Sequence, residues 1–470
     1  MAEHSYVRTE MMAAQTPPGL QTGVVRWMRE NLFSSWLNVV LSLLAFYAVY
    51  VILATIGPWL LRSVWTGSSL MECRATLAAR YGEGTSGACF AVIRERWLMI
   101  LFGFYPPALY WRPILTMVLL LVALWPVLFS SAPRILLWFS ISFPAVAFWL
   151  LWGGSIWFPI FVILGLGAVG YAAMVISQHK GLLVGSLVAV LLFSFVFLNP
   201  ISMVFTAIEA IVGLWSDEPA HIYAKIYGYD LRNAFPLFPY FVAFFQEHIP
   251  LGLRQLRSAD LGGFLLSAVI GISGIVFSLP LGVLLALGRQ SDLLVVRTVC
   301  VAFIEGLRGV PLITLLFVAS LLLNYFLPPG TEFDVILRVI IMVTLFSAAY
   351  MAEVIRGGLA ALPRGQYEAA DALGLDYWKA QRLIIMPQAL KITIPGIVGQ
   401  FIGLFKDTTL VSFISLQDPL QLVSSIRANT EWNGIYWELF IFVGFLFFIF
   451  CFSMSRYSMY LENKLKTDNR

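Results

Sequence analysis

Few residues in this 470-residue chain are of types that do chemistry, and their spacing favours binding and movement over bond-breaking. The richest stretch runs from Glu368 through Ala369, Ala370 and Gly374 to Ile384 and Pro387, an acid, two small residues, a glycine and a proline set at intervals. Glu305 and Arg308 stand three apart, as do Glu353 and Arg356, a spacing that puts each pair on one helical face where it can simply pair and serve structure; Glu305 and Arg308 are also candidates for a pathway or gate. Lys406, Asp407, Thr408 and Thr409 join a cation, an anion and two hydroxyls, groups that could meet a zwitterionic solute or stabilise a gate in a pathway. Cys73 and Cys89 share a polar segment, whereas Cys300 and Cys451 lie in or beside apolar runs as packing residues. No cysteine sits in a CxxC, and His4, His179, His221 and His248 are scattered, so no metal site is expected. No Gly-Lys dipeptide occurs, so the chain lacks the Gly-x-x-x-x-Gly-Lys-Ser/Thr loop that cradles phosphates and is not expected to be an enzyme.

The elements that must position these residues are membrane helices. Apolar residues make up 60% of the chain and charged residues 12%, where soluble domains carry about 25% charged. The 37 Phe and 15 Trp are too many for one water-soluble core. The apolar runs are continuous and do not alternate, so they read as helices and not as barrel strands. The expected fold is all-α, a polytopic transmembrane helical protein of about ten spans. The net charge of +4 is a loop bias; with no sustained Lys/Arg tract, no nucleic-acid partner is expected.

Ten segments have the length to cross roughly 30 Å of hydrocarbon. They are Trp36–Leu61, Pro113–Phe129, Ile135–Trp152, Ile156–Ile176 and Leu182–Phe205, then Leu261–Leu287, Val299–Leu323, Val335–Ile355, Ala389–Leu404 and Ile435–Met454. The first thirty residues are polar, so no cleavable signal is expected and the first span stays as an anchor. Arg26 and Arg29 precede that span and place the N-terminus in the cytoplasm. The same count puts Arg134, Lys180, Arg289, the segment 356–391 and the tail inside. Arg62 and Arg112 fall outside and conflict with it, a weak conflict because long loops obey the rule poorly.

The external loop 62–112 holds Cys73 and Cys89, which pair in an oxidising compartment or stay as two thiols. Trp97 to Phe102 in that loop is expected on the membrane surface. A second external stretch, 215–260, contains Phe235-Pro236-Leu237-Phe238-Pro239-Tyr240, too proline-broken for a span.

The segment 356–391 is long for a connection, so it is expected to have its own structure. Pro363 starts a helix, Glu368 to Leu373 continue it, and Gly374 ends it. Asp376 caps a second short helix with Tyr377, Trp378, Ala380 and Leu383, which Pro387 ends or bends into the next span. Ala369 and Ala370 are expected to point outward, small enough for another protein to approach closely.

Glu-Ala-Ala, a glycine six residues after the Glu, and Ile-x-x-Pro nine further on resemble the coupling-loop signature of permease subunits of ABC importers. The match falls on Glu368, Ala369, Ala370, Gly374, Ile384 and Pro387; Met386 stands where that family has Leu. Four segments narrow the resemblance to polar-amino-acid permeases of the histidine/glutamine type: Glu305 to Leu312, Ala349 to Gly358, Pro387 to Ala389, and Lys406 to Leu410. The extra N-terminal spans and the ending Met454 to Ser458 look like the M-type permease of general L-amino-acid importers.

The resemblance implies a five-span permease core at 261–470 with its coupling loop at 356–391, and an N-terminal extension at 1–260. It implies a multi-pass protein of the bacterial inner membrane, powered by ABC ATPase subunits that bind ATP and Mg, so that no cofactor sits in this chain. It further implies a second related permease, a periplasmic amino-acid-binding protein and the bilayer as partners. Two other readings stand beside it: an ion-driven transporter, which would need a self-contained pathway with internal repeats, and a non-transporting scaffold.

Overall fold

The computed structural model describes residues 23–129, 131–180, 182–193, 237–322 and 334–467. Helices α1 (Gly23–Asn31), α2 (Trp36–Leu61), α3 (Leu70–Tyr81) and α4 (Ala91–Phe102) come first. They are followed by α5 (Trp111–Leu128), α6 (Leu136–Trp152), α7 (Trp157–Lys180), α8 (Leu182–Phe193) and α9 (Leu237–His248). The C-terminal half holds α10 (Gly263–Arg289), α11 (Leu294–Arg308), α12 (Leu312–Phe317), α13 (Val335–Ala360), α14 (Arg364–Ala372) and α15 (Tyr377–Ala380). It ends with α16 (Met386–Asp407), α17 (Pro419–Arg427) and α18 (Trp437–Thr467). A two-residue antiparallel pairing joins Gly154–Ser155 to Gly252–Leu253.

Among the described residues seven helices are long and apolar enough to cross a bilayer, or eight if one bent pair counts as a span. The shortfall against ten has three sources. The expected span Ile135–Trp152 is helix α6, a shorter apolar helix. Of Leu182–Phe205 only α8 lies within the described residues. The expected span Val299–Leu323 is not one rod. It is α11 followed by Leu312–Leu322, bent by 101° between Arg308 and Leu312. Pro311 supplies no backbone N–H and disfavours helical backbone at Val310, so the ladder breaks there.

Contacts divide the chain into two compact units, Met1–Glu95 with Arg427–Leu439, and Arg96–Ile426 with Phe440–Arg470. In the first unit α2 buries no residue. A helix apolar all round with no protein against it has lipid for its surroundings. Beyond it, Val64 bridges Cys89, and Trp432 is fully buried with its Nε1 donating to Glu95 Oε2 at 3.1 Å.

In the second unit α10, α13 and α16 pack on one another. Lipid chains are as apolar as Leu, so close packing by small residues, and not water exclusion, decides such contacts. At Gly358 an added Cβ would lie 2.7 Å from the Ala389 carbonyl oxygen, so α13 and α16 touch there backbone to backbone. Leu265, Leu266 and Ile270 of α10 and Val339 and Val343 of α13 form one cluster with Phe102, Tyr105 and Leu151. Ile100 and Phe102 are buried while Trp97 is 43% exposed, so the stretch Trp97 to Phe102 turns one face to protein. Arg112 is buried as well, donating from Nη1 to the Arg254 carbonyl at 2.8 Å. It is therefore no free loop cation, which removes half of the conflict in the sidedness count.

Contacts inside each unit agree with that count. Cys89 with Glu438, Gly154 with Leu253 and Gly263 with Gln417 join loops counted as external. Arg289 with Glu353 and Tyr457 with Leu128 join ends counted as internal.

Candidate functional site

The segment after α13 folds as its punctuation dictates. Pro363, with fixed φ, stands at the N-cap of α14. At the other end Gly374 has φ +67°, open to glycine and strained for other residues. The Gly374 amide donates to the Asp371 carbonyl at 2.9 Å and the Leu375 amide to the Ala370 carbonyl at 3.2 Å, a Schellman ending. The Asp376 carboxylate then accepts the Trp378 amide at 2.8 Å and caps α15.

From there the structure departs from the sequence reading. Pro387 neither ends the helix nor turns the chain. Helix α15 continues through a π turn, Gln381–Ile385, directly into α16. Pro387 occupies the first turn of α16, where a proline is tolerated because its missing N–H falls at a change of register. Ala370 is 1% exposed, so it points inward; Glu368 and Ala369 are exposed. Ile384 is half-buried against an apolar cluster of Ile304, Met351, Ile355, Leu359, Ile385 and Met386. Gln388 Nε2 donates to Gln366 Oε1 at 2.9 Å and ties α16 to α14. Leu373, Tyr377, Trp378 and Leu383 stay exposed at 73%, 52%, 42% and 63%. Four large apolar side chains thus stay bare on one short segment, the kind of patch that marks a protein or membrane contact.

Glu305 and Arg308 are not an isolated pair. Arg289 Nη1, at the end of α10, lies 2.8 Å from Glu305 Oε1 and 2.6 Å from Glu353 Oε1. Arg308 Nη1 lies 3.7 Å from Glu305 and 3.8 Å from Glu353, and Arg356 Nη2 lies 3.0 Å from Glu353. Arg308 also lies over the Tyr350 ring at 5.6 Å. Five charges from three helices thus form one cluster. Sequence reasoning missed the contribution of Arg289, which is 16 residues from Glu305 and 64 from Glu353.

Lys406, Asp407, Thr408 and Thr409 lie where α16 passes into a 3-10 turn, Thr408–Ile414. The Thr408 and Thr409 hydroxyls donate to the Phe405 and Lys406 carbonyls of their own helix at 2.8 and 2.9 Å. Lys406 is exposed and Asp407 half-buried, and neither joins an ion pair among the described residues. A 22-residue α16 spans about 33 Å at 1.5 Å per residue, so this group and the five-charge cluster are not one site.

Cys73 and Cys89 are joined in a disulfide, Cα to Cα 6.1 Å, and both are buried. The Cys89 amide donates to Glu438 Oε1 at 2.8 Å. Glu438 and Trp432 were not singled out from sequence; an acid opening an apolar run was the signal for the first. Near α3, hydrogen bonds from the Ser68 amide and hydroxyl, both 2.8 Å, hold the Glu72 carboxyl below the usual carboxylate range. Burial pushes the Asp418 carboxyl up to about 6 although it accepts the Gln421 amide at 2.9 Å and caps α17.

Comparison with known proteins fits this arrangement. Residues 278–467 match the family described as binding-protein-dependent transport system inner membrane component. The chain is 54% identical, over 100% of both chains, to the glutamate/glutamine/aspartate/asparagine transport system permease protein BztC of Rhodobacter capsulatus. It is 33% identical to the inner membrane amino-acid ABC transporter permease protein YhdY of Escherichia coli, covering 94% of this chain and 93% of that one. The glutamate/aspartate import permease protein GltK of Escherichia coli is 32% identical over 210 residues, 92% of its own length but 43% of this chain. With a full-length relative above half identity, a matching family model and membrane helices in number, this chain belongs to the membrane-spanning permease subunits of amino-acid ABC importers.

Proposed function

We propose that Glu368 to Pro387 is the surface through which an ABC ATPase subunit drives this permease. The carrying observation is the bare apolar group of Leu373, Tyr377, Trp378 and Leu383 on a segment continuous with α16. A push on that segment has a rigid route into the membrane, because α15 and α16 are one helix through the π turn. ATP and Mg are bound by that partner. Its opening and closing biases the permease between inward- and outward-open states through differential binding to the two.

Residues 261–470 form the permease core and residues 1–260 an extension. A core of this size needs a second, related permease chain to enclose a pathway, and a periplasmic binding protein to deliver the solute to Lys406 and Asp407. The name of the full-length relative supports acidic amino acids and their amides as the solute class. In this reading the segment 356–391 faces the cytoplasm and the disulfide-bonded loop the periplasm.

The test is Glu368→Lys in the complete transporter, with uptake and co-purification of the ATPase as readouts. Loss of both at normal permease amounts is expected. Wild-type uptake with wild-type capture of the ATPase removes the proposal.

A further inference from the structure

We infer that Glu353 is a positioning residue for transport: its carboxylate holds α11 to the inner ends of α10 and α13, so that movement of the coupling segment reaches the pathway. The inference rests on the coupling reading above. Three guanidiniums converge on this one side chain. Arg289 Nη1 is 2.6 Å from Oε1, Arg356 Nη2 and Nε are 3.0 and 3.1 Å from Oε2, and Arg308 Nη1 is 3.8 Å from Oε2. The Glu353 side chain is 16% exposed and that of Arg289 24%, so the attraction is poorly screened by solvent.

The cluster holds three positive and two negative charges. Removing Glu353 leaves three cations and the single acid Glu305, so repulsion replaces the tie. Removing Arg308 loses only its two long contacts and the Tyr350 ring. Glu353 is therefore the hub.

Two linkages meet on α11. The apolar one runs from Ile385 and Met386 through Ile355 and Leu359 to Ile304. The ionic one runs from Glu353 to Arg289 of α10 and, through Arg289, to Glu305 of α11. The first carries the push from the coupling segment. The second stops α11 from yielding to it at the 101° bend, where no backbone ladder crosses. Without the hub, ATP-driven movement spends itself in rotating α11.

The experiment uses the complete transporter in proteoliposomes and reads solute moved per ATP hydrolysed. Glu353→Gln is expected to keep ATPase capture and hydrolysis while the ratio falls at least about fivefold. Glu353→Asp keeps the ratio within about twofold, and Arg289→Gln, which cuts the same linkage at its middle, lowers it about as far as Glu353→Gln does. A residue that merely stabilises the fold would lower the amount of complex and leave the ratio alone. An unchanged ratio in Glu353→Gln therefore overturns the inference. Should that variant fail to assemble, Arg289→Gln decides, and assembly with an unchanged ratio overturns it too. Failure of the coupling reading is seen separately, as undiminished ATPase capture by Glu368→Lys.

Discussion

The disulfide-bonded loop and the coupling segment are both short-helix structures outside the spans, and they are finished differently. In the first, Cys73 and Cys89 are bonded and buried, Glu438 accepts a backbone amide, and the Trp432 ring is fully enclosed with its N–H paired. In the second, the backbone is equally well capped by Pro363, Gly374 and Asp376, yet Leu373, Tyr377, Trp378 and Leu383 stay exposed, the Tyr377 and Trp378 rings edge to face at 5.4 Å. Backbone order without side-chain burial is costly in water, since bare apolar area gains nothing on folding. The loop is locked by a bond of its own although Trp65, Met71 and Tyr81 stay exposed on it; on the coupling reading, the segment after α13 is completed by a partner.

That contrast can be broken in three ways. The largest effect is expected from Cys73→Ser. The bridge closes a 16-residue separation, and its loss should cost about 3 kcal/mol. Thermal unfolding and protease nicking of the loop should both rise in sensitivity while ATPase capture stays at the wild-type level. Equal loss of capture would show that the two regions are not independent. Next, Trp378→Asp should weaken ATPase binding by about 2 kcal/mol, the scale of an aromatic anchor, and leave the melting temperature within about 1 °C. A lowered melting point with intact binding would mean that the ring is packed and not bare. Smallest is Gly374→Ala. Nothing lies within 4 Å of the added Cβ, so the effect is backbone strain alone, about 1 kcal/mol. Faster hydrogen exchange at the Leu375 amide would report it, and an unchanged rate would deny the strain.

What the sequence made legible was local. Pro363, Gly374 and Asp376 act on their neighbours within a few residues, so the two short helices could be placed from them alone. Pro387 misled because a proline in a first turn and a proline that stops a helix look alike until the preceding turn is known to be π. Window hydropathy joined α11 to the helix after it because a sum over residues is blind to direction, and the 101° bend leaves it unchanged. The protein-facing side of Trp97 to Phe102 was not legible because its partner Gly263 lies far along the chain: a Cβ there would sit 2.3 Å from the Ile100 carbonyl oxygen. The ion cluster was half legible. Two pairs at helical spacing were visible, and Arg289, which makes them one object, was not.

The π turn at Gln381–Ile385 sets the angular phase between the Trp378 ring and α16, the membrane helix its segment runs into. Each residue of an α-helix advances about 100° around the axis, and a π turn holds one more residue than the α turn it replaces. Excising a single residue from this stretch would therefore keep the rod straight but swing the ring about a quarter-turn away. An engine docking on the original bearing would then grip the shaft on its wrong side.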